Sequence, residues 1–287
     1  MRSRLPWFLL CLALAAYGFR QDGVLLRREL KPDTSETYSM TMKMKQVMNL
    51  PTGEMPMDIA STAKLTMKMG KLVPDKGAEL EMITSDMDMK FDGPMAEMAQ
   101  SSQPQMPKEV IVKGHIDARN RLTDLKPVGS GAQAMMMAGS TSMQNVGTFI
   151  EFPDRPVKIG DTWEIVIPKM PMLGNEEGKF LGKLVGEKEH EGKPVWVLSM
   201  EGVLAIKMDM AEMLKNNPGA AGGIPVQNML ITGTMDVKTQ ALVEKATGRT
   251  LSIESLIKGK QKVEVVDFGM TVEGVSEGTV KLELQKS

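Results

Sequence analysis

The feature that most constrains this chain is a series of short echoes that occurs twice in the same order. Glu36-Thr37-Tyr38 is answered by Asp161-Thr162-Trp163, and Gly70-Lys71-Leu72-Val73 by Gly182-Lys183-Leu184-Val185. Ala96-Glu97-Met98 returns as Ala211-Glu212-Met213, and Gly114-His115-Ile116-Asp117 as Gly233-Thr234-Met235-Asp236. A diverged duplication accounts for the shared order. The repeated pieces are apolar strands and polar turns, so they specify a scaffold and name no chemistry. The expected plan is a single β-rich domain over about 19–287. Repeat one spans about 34–126, a connector with a helix about 127–152, and repeat two about 153–285.

Local patterning agrees with strands. From Thr37 to Lys45, Tyr38, Met40, Met42 and Met44 alternate with Ser39, Thr41, Lys43 and Lys45. Leu65, Met67 and Met69 alternate with Lys64, Thr66 and Lys68. Period-two alternation marks a strand with one wet face. Pro74-Asp75-Lys76-Gly77 then predicts a turn, through fixed and permissive dihedrals, with an antiparallel return over Glu79 to Met89. Further strands are expected at Val110–Asp117, Asn120–Lys126, Thr162–Ile167, Phe180–Lys188, Lys193–Glu201 and Val203–Asp209. Later ones are expected at Leu230–Lys238, Leu242–Glu244, Arg249–Lys258, Gln261–Glu273 and Gly278–Leu284, with Thr247-Gly248 as a hairpin turn. Ala132 to Asn145 is the helix candidate, rich in Ala and Met between bracketing glycines. Two Met-containing loops, Gly93–Pro107 and Met210–Pro225, fall at equivalent places in the repeats.

Residues 1–18 read as a secretory signal peptide, with Arg2 and Arg4 ahead of a short apolar run over Leu5–Ala16. That run is shorter than the roughly 20 residues a spanning helix needs, so no stable membrane insertion is expected after cleavage. The sole cysteine, Cys11, lies inside the leader. A cysteine-free mature chain excludes disulfides, thiolate metal sites and a cysteine nucleophile. The expected location is exported, periplasmic or extracellular. The chain carries 35 basic and 36 acidic side chains; without Arg2 and Arg4 the count is 33 against 36, or −3. With no basic excess and 4% aromatic residues, nucleic acid is not an expected partner.

Twenty-eight methionines are far more than a chain of 287 residues usually holds. Met-x-Met at Met40/Met42/Met44, Met67/Met69, Met87/Met89 and Met208/Met210 puts thioethers on one face of a strand. Such residues can fill a dry core in place of Val, Ile or Leu. They can also line a cavity that adapts to irregular apolar ligands, because methionine is flexible and polarizable. On that reading Met40, Met42, Met44, Met67, Met69, Met135, Met136 and Met137 are the ligand-binding candidates. Copper(I) is the third option, since thioethers are soft ligands. His115 and His190 lie far apart, however, and bring no His-x-x-Met cluster.

Catalytic signatures are not found. No Gly-x-Ser-x-Gly elbow, phosphate cradle, His-Glu-x-x-His helix or calcium loop occurs. His190 sits in a charged turn and His115 at a strand position, so neither reads as a base. The expectation is a protein that is not an enzyme, with no cofactor.

Pro153-Asp154-Arg155-Pro156-Val157-Lys158-Ile159-Gly160-Asp161-Thr162-Trp163, with Thr247-Gly248-Arg249 later, resembles a secreted bacterial β-rich family of unknown function. Its mark is a Gly-Asp-Thr-Trp entry into β hairpins. The resemblance implies an exported β domain and brings no catalytic residues. By analogy with envelope lipid carriers, the expected fold is a strongly curved antiparallel sheet or half-barrel built from two related β repeats, with one or two short helices. The expected function is binding of a lipid or acyl chain in its concavity. The alternatives are an envelope structural or protein-interaction module with no ligand and, third, a periplasmic copper(I) binder.

Overall fold

The alternation in the sequence becomes a single large sheet. The computed structural model describes residues 23–50, 53–94, 96, 108–128, 149–167, 176–209, 211 and 228–286. Its strands are β1 (Thr34–Leu50), β2 (Gly53–Val73), β3 (Gly77–Asp92), β4 (Glu109–Ile116), β5 (Leu122–Pro127), β6 (Thr162–Ile167), β7 (Gly178–His190), β8 (Lys193–Asp209), β9 (Met229–Glu244), β10 (Thr250–Val265) and β11 (Met270–Leu284). All pair antiparallel, in the order β5-β4-β3-β2-β1-β11-β10-β9-β8-β7-β6. The sequence echoes fall on strands of matching rank. Glu36–Tyr38 lies in β1 and Thr162-Trp163 in β6; Gly70–Val73 lies in β2 and Gly182–Val185 in β7. Gly114–Ile116 lies in β4, and Gly233–Asp236 in β9.

One face is apolar from edge to edge. In β1 it carries Tyr38, Met40, Met42 and Met44, and in β2 Ile59, Leu65, Met67 and Met69. The other face carries lysines and carboxylates that pair across strands, as in Lys258–Glu277 and Lys281–Glu254. Keeping β3 in phase takes a bulge. Between the pairs Lys64↔Ser85 and Thr62↔Asp88, β3 advances three residues while β2 advances two. Asp86 takes φ 51° there. Leu80, Met82 and Thr84 are buried before it, and Met87, Met89 and Phe91 continue the same face after it. An extra residue paired regularly would turn everything after it to the other face; the bulge absorbs it, so the apolar row stays inward.

The core lies where two extended segments cross the apolar face. Val24 and Val157 form a two-way bridge at 2.7 and 2.9 Å. From there the strap over residues 23–33 donates from Arg28 N to Ala118 O, after β4, and from Glu29 N to Thr247 O, after β9, both at 2.7 Å. Leu26, Ile150, Phe152 and Val157 are buried against Tyr38, Leu65, Met67, Phe180 and Leu198. Each such side chain contributes roughly 1.5–3 kcal/mol on leaving water.

The expected half-barrel is not what forms. The sheet is open at β5 and β6 and is neither closed nor strongly curled. Strong curvature needs bulges and kinks through the middle of a sheet. The β1–β2, β1–β11, β10–β11 and β8–β9 ladders run without a register shift. Among the described residues the helical element with bounds is a 3-10 turn, Val266–Phe268, ended by Gly269 at φ 57°. The helix expected at 132–145 lies outside the described residues, as do the leader and most of the two Met-containing loops. Strand boundaries shift as well. Lys193–Glu201 and Val203–Asp209 are one strand, and so are Leu230–Lys238 and Leu242–Glu244. Gln261–Glu273 straddles the turn between β10 and β11.

Candidate functional site

Strands of 15 to 21 residues reach well past the strap. Beyond it the apolar face continues at intermediate exposure. Met42 and Met44 extend the β1 row, Ile59 and Met57 the β2 row, and Met89 and Phe91 the β3 row. On the far side stand Ile231 of β9 and Ile206 and Met208 of β8. Between these walls β11 presents little side chain, while β10 presents Ile257, Gly259, Gln261 and Val263, with the Gln261 side chain lying against Gly274. Gly278 is paired with Met44, Ser276 with Gln46, and Gly274 with Met48. Gly259 of β10 sits beside Ser276. The result is a shallow trough floored by Gly and Ser and walled by Met, Ile and Phe. From β1 to β9 spans three strand spacings, roughly 14 Å.

The eight expected ligand-binding methionines are thereby divided. Met40, Met67 and Met69 are buried in the core beneath the strap, 7%, 0% and 4% exposed. Met42 packs at the core margin and Met44 stands on the trough wall. Met135, Met136 and Met137 lie outside the described residues. The trough also has members that the sequence reading passed over: Met57, Met89, Phe91, Gly274, Ser276 and Gly278. Their parity was readable strand by strand, but their adjacency depends on β1 pairing with β11.

The opposite face has a concavity of about 980 Å³, lined by Lys68, Lys76, Glu81, Lys113, His115 and Asp124 among others. Its charges largely answer one another. Glu81 takes Lys113 at 3.1 Å and Lys68 at 3.4 Å, and Lys76 reaches Asp124 at 2.9 Å. The hydrogen bond from Lys113, joined by Lys68, holds the Glu81 carboxyl below its usual range against the opposing effect of burial. His115 Nδ1 lies 3.4 Å from Asp124 Oδ2 on this outward face, and His190 closes the β7–β8 turn. No nucleophile is presented to either imidazole by a described hydrogen bond. Among the described residues, no group of three or more His, Cys, Asp or Glu is arranged to hold a metal ion.

The Gly-Asp-Thr-Trp segment does structural work. Gly160 takes φ 97°, and the Asp161 carboxylate accepts from Lys158 N at 3.0 Å. Gly160 N donates to Leu184 O, tying the turn to β7. Trp163 lies over Gly182 and donates from Nε1 to Glu151 O at 2.7 Å, pinning the connector onto the sheet. A large ring with one satisfied polar atom suits this position.

No protein-family profile matches the chain. No curated protein matches it either. Among solved structures, it is similar to a DUF1329 family protein from Desulfovibrio piger: 9% identity, 87% of this chain and 85% of that one, TM-score 0.16. It is also similar to a domain named for outer membrane lipoprotein sorting from Vibrio parahaemolyticus: 9% identity, 86% and 83% coverage, TM-score 0.18. At these scores neither likeness bears on fold or function. Among the described residues, no helix is long and apolar enough to cross a membrane.

Proposed function

We propose that this protein is exported and, without catalysing a reaction, binds an apolar ligand such as a lipid acyl chain along the trough. The observation that carries the reading is the contrast within one face. Under the strap the face is filled and dry, whereas beyond it the same apolar rows flank a floor of Gly278, Ser276 and Gly274. The small residues of β11, beside Gly259 of β10, leave room for a flexible chain to lie along β11, and methionine walls adapt to its shape. The leader-like segment at residues 1–18 supports export.

Recruitment of a protein partner by strand addition has less support. The two sheet edges, β5 and β6, have six residues each, and β5 carries Lys126, Pro127 and Asp124 at φ 55°. Short, charged and irregular edges discourage pairing with a further strand.

Native mass spectrometry after incubation with phospholipid vesicles tests the reading. A retained lipid mass is expected in the wild type and not in Ser276→Leu, which fills the floor. A wild type that stays free of lipid, with no displacement of an environment-sensitive acyl probe, removes the reading.

A further inference from the structure

Past the trough, β1 and β2 close into a hairpin whose last pairs are Met48↔Met55, Asn49↔Glu54 and Leu50↔Gly53. Met48, Met55 and Met57 share the inner face at intermediate exposure, while Asn49, Glu54, Pro56 and Asp58 are exposed on the other. Residues directly opposite hold their Cβ atoms about 4.5–5.5 Å apart, and same-face neighbours on one strand are two rises, about 7 Å, apart. Met48 and Met55 form the short side of that triangle, and Met57 is its third corner. Methionine has three rotatable bonds, so thioethers from such a triangle can meet at one point. The ladder neighbours on this face are Gln46, opposite Met57, and Gly274, opposite Met48. Neither brings a carboxylate or an imidazole.

We propose that Met48, Met55 and Met57 form a binding site for a soft monovalent cation, copper(I) or silver(I). Neutral thioethers are poor ligands for magnesium, calcium or zinc, and a site that offers only sulfur and an amide selects for softness. Packing alone does not call for sulfur here, because leucine fills a similar volume. Accessibility distinguishes these three from Met67 and Met69, which lie sealed in the core of the same strand. The site rests on the β1–β2 register and borders the trough, sharing Met57 with its wall.

The test is titration of the purified protein with silver(I), and with copper(I) against a chromogenic chelator, read by native mass spectrometry. Wild type is expected to hold one ion, and the M48L/M55L variant, which spares Met57 of the trough wall, is expected to lose it while keeping its melting temperature and any acyl-chain binding. Equal retention by the two proteins, or no ion in the wild type, overturns the site. Methionine-methyl NMR of the wild type provides a readout that needs no variant. Silver(I) should shift the Met48, Met55 and Met57 methyl signals. Shifts spread over other methionines, or none, overturn the assignment.

Discussion

Arg28 donates from Nη2 to Glu36 Oε2 at 2.6 Å, with the two side chains 1% and 8% exposed. Three other elements converge on this pair. Tyr38 Oη donates to the same carboxylate oxygen at 2.7 Å, and lies 3.1 Å from Thr250 O at the start of β10. Arg28 Nη1 donates to Asn120 Oδ1, and Asn120 Nδ2 to Ile150 O. Burial first, then the Glu36 charge, pushes the Tyr38 phenol far above its usual range, so it remains a donor. Strap, β1, the β4–β5 turn, β10 and the connector are thus joined through one ion pair.

Glu36→Leu should therefore be severe, because it leaves a buried guanidinium without its partner. Breaking a buried pair from one side costs about 3–5 kcal/mol. The double variant Arg28→Met/Glu36→Leu should recover much of that loss. Urea unfolding of the three proteins checks the coupling; additive losses would contradict it.

Gly248→Ala should destabilise more than Gly192→Ala. Both glycines take positive φ, 65° and 75°, so each substitution carries a left-handed penalty of roughly 1–2 kcal/mol. A Cβ at Gly192 meets open space, whereas one at Gly248 runs into the Arg27 carbonyl and Arg28 Cα. Denaturation midpoints of the two variants should differ in that order.

Deleting Asp86 should remove the bulge and leave Met87, Met89 and Phe91 on the inner face, because Ser85 then alternates directly with Met87. Asp86→Gly, which keeps the count and suits φ 51°, should fold normally. Dye binding to exposed apolar surface should rise in neither variant; a rise in the deletion would contradict the bulge assignment.

Two buried-edge carboxylates should give opposite pH signatures. Burial raises the Glu244 carboxyl, but the Thr247 hydroxyl together with Lys193 and Arg249 outweighs it, leaving the net shift downward. Its stabilisation is present above the unfolded value, about 4.3, and fades as pH falls through the folded one. Burial raises Glu151 despite Arg119 and Arg121. Its contribution is full below the unfolded value and is lost as pH rises through the folded one. Relative to wild type, Glu244→Gln should therefore lose ground with rising pH and Glu151→Gln gain it. Unfolding series at several acidic pH values measure both slopes.

Strand identity and facing were legible because they depend on neighbours in sequence: Met40, Met42 and Met44 do share a face, and Thr247-Gly248 does turn. What escaped reading depends on partners far away. Asp86 looks like one more wet-face aspartate until its register against Thr62 and Lys64 shows the extra residue. Met48 and Met55 become a pair only once β1 and β2 are aligned. Arg28 reads as an ordinary charge in a polar segment, and nothing local announces that the strap carries it into the core. Curvature was overestimated for the same reason. Alternation specifies which face is inward, while the uninterrupted central ladders decide how far the sheet bends.

The pairing of β1 with β11 also sets a timetable. Tyr38 meets Leu284 and Met42 meets Val280, so the seam at the middle of the sheet joins the first strand to the last. Contacts this distant in sequence make assembly slow, since the intervening chain must be organised before they can form. A growing chain that lacks the fifteen residues of β11 has β1 and β10 bare at the sheet's centre. The finished state is thus reached only when the last strand has joined the first, so the sheet's centre is the last part of the molecule to close.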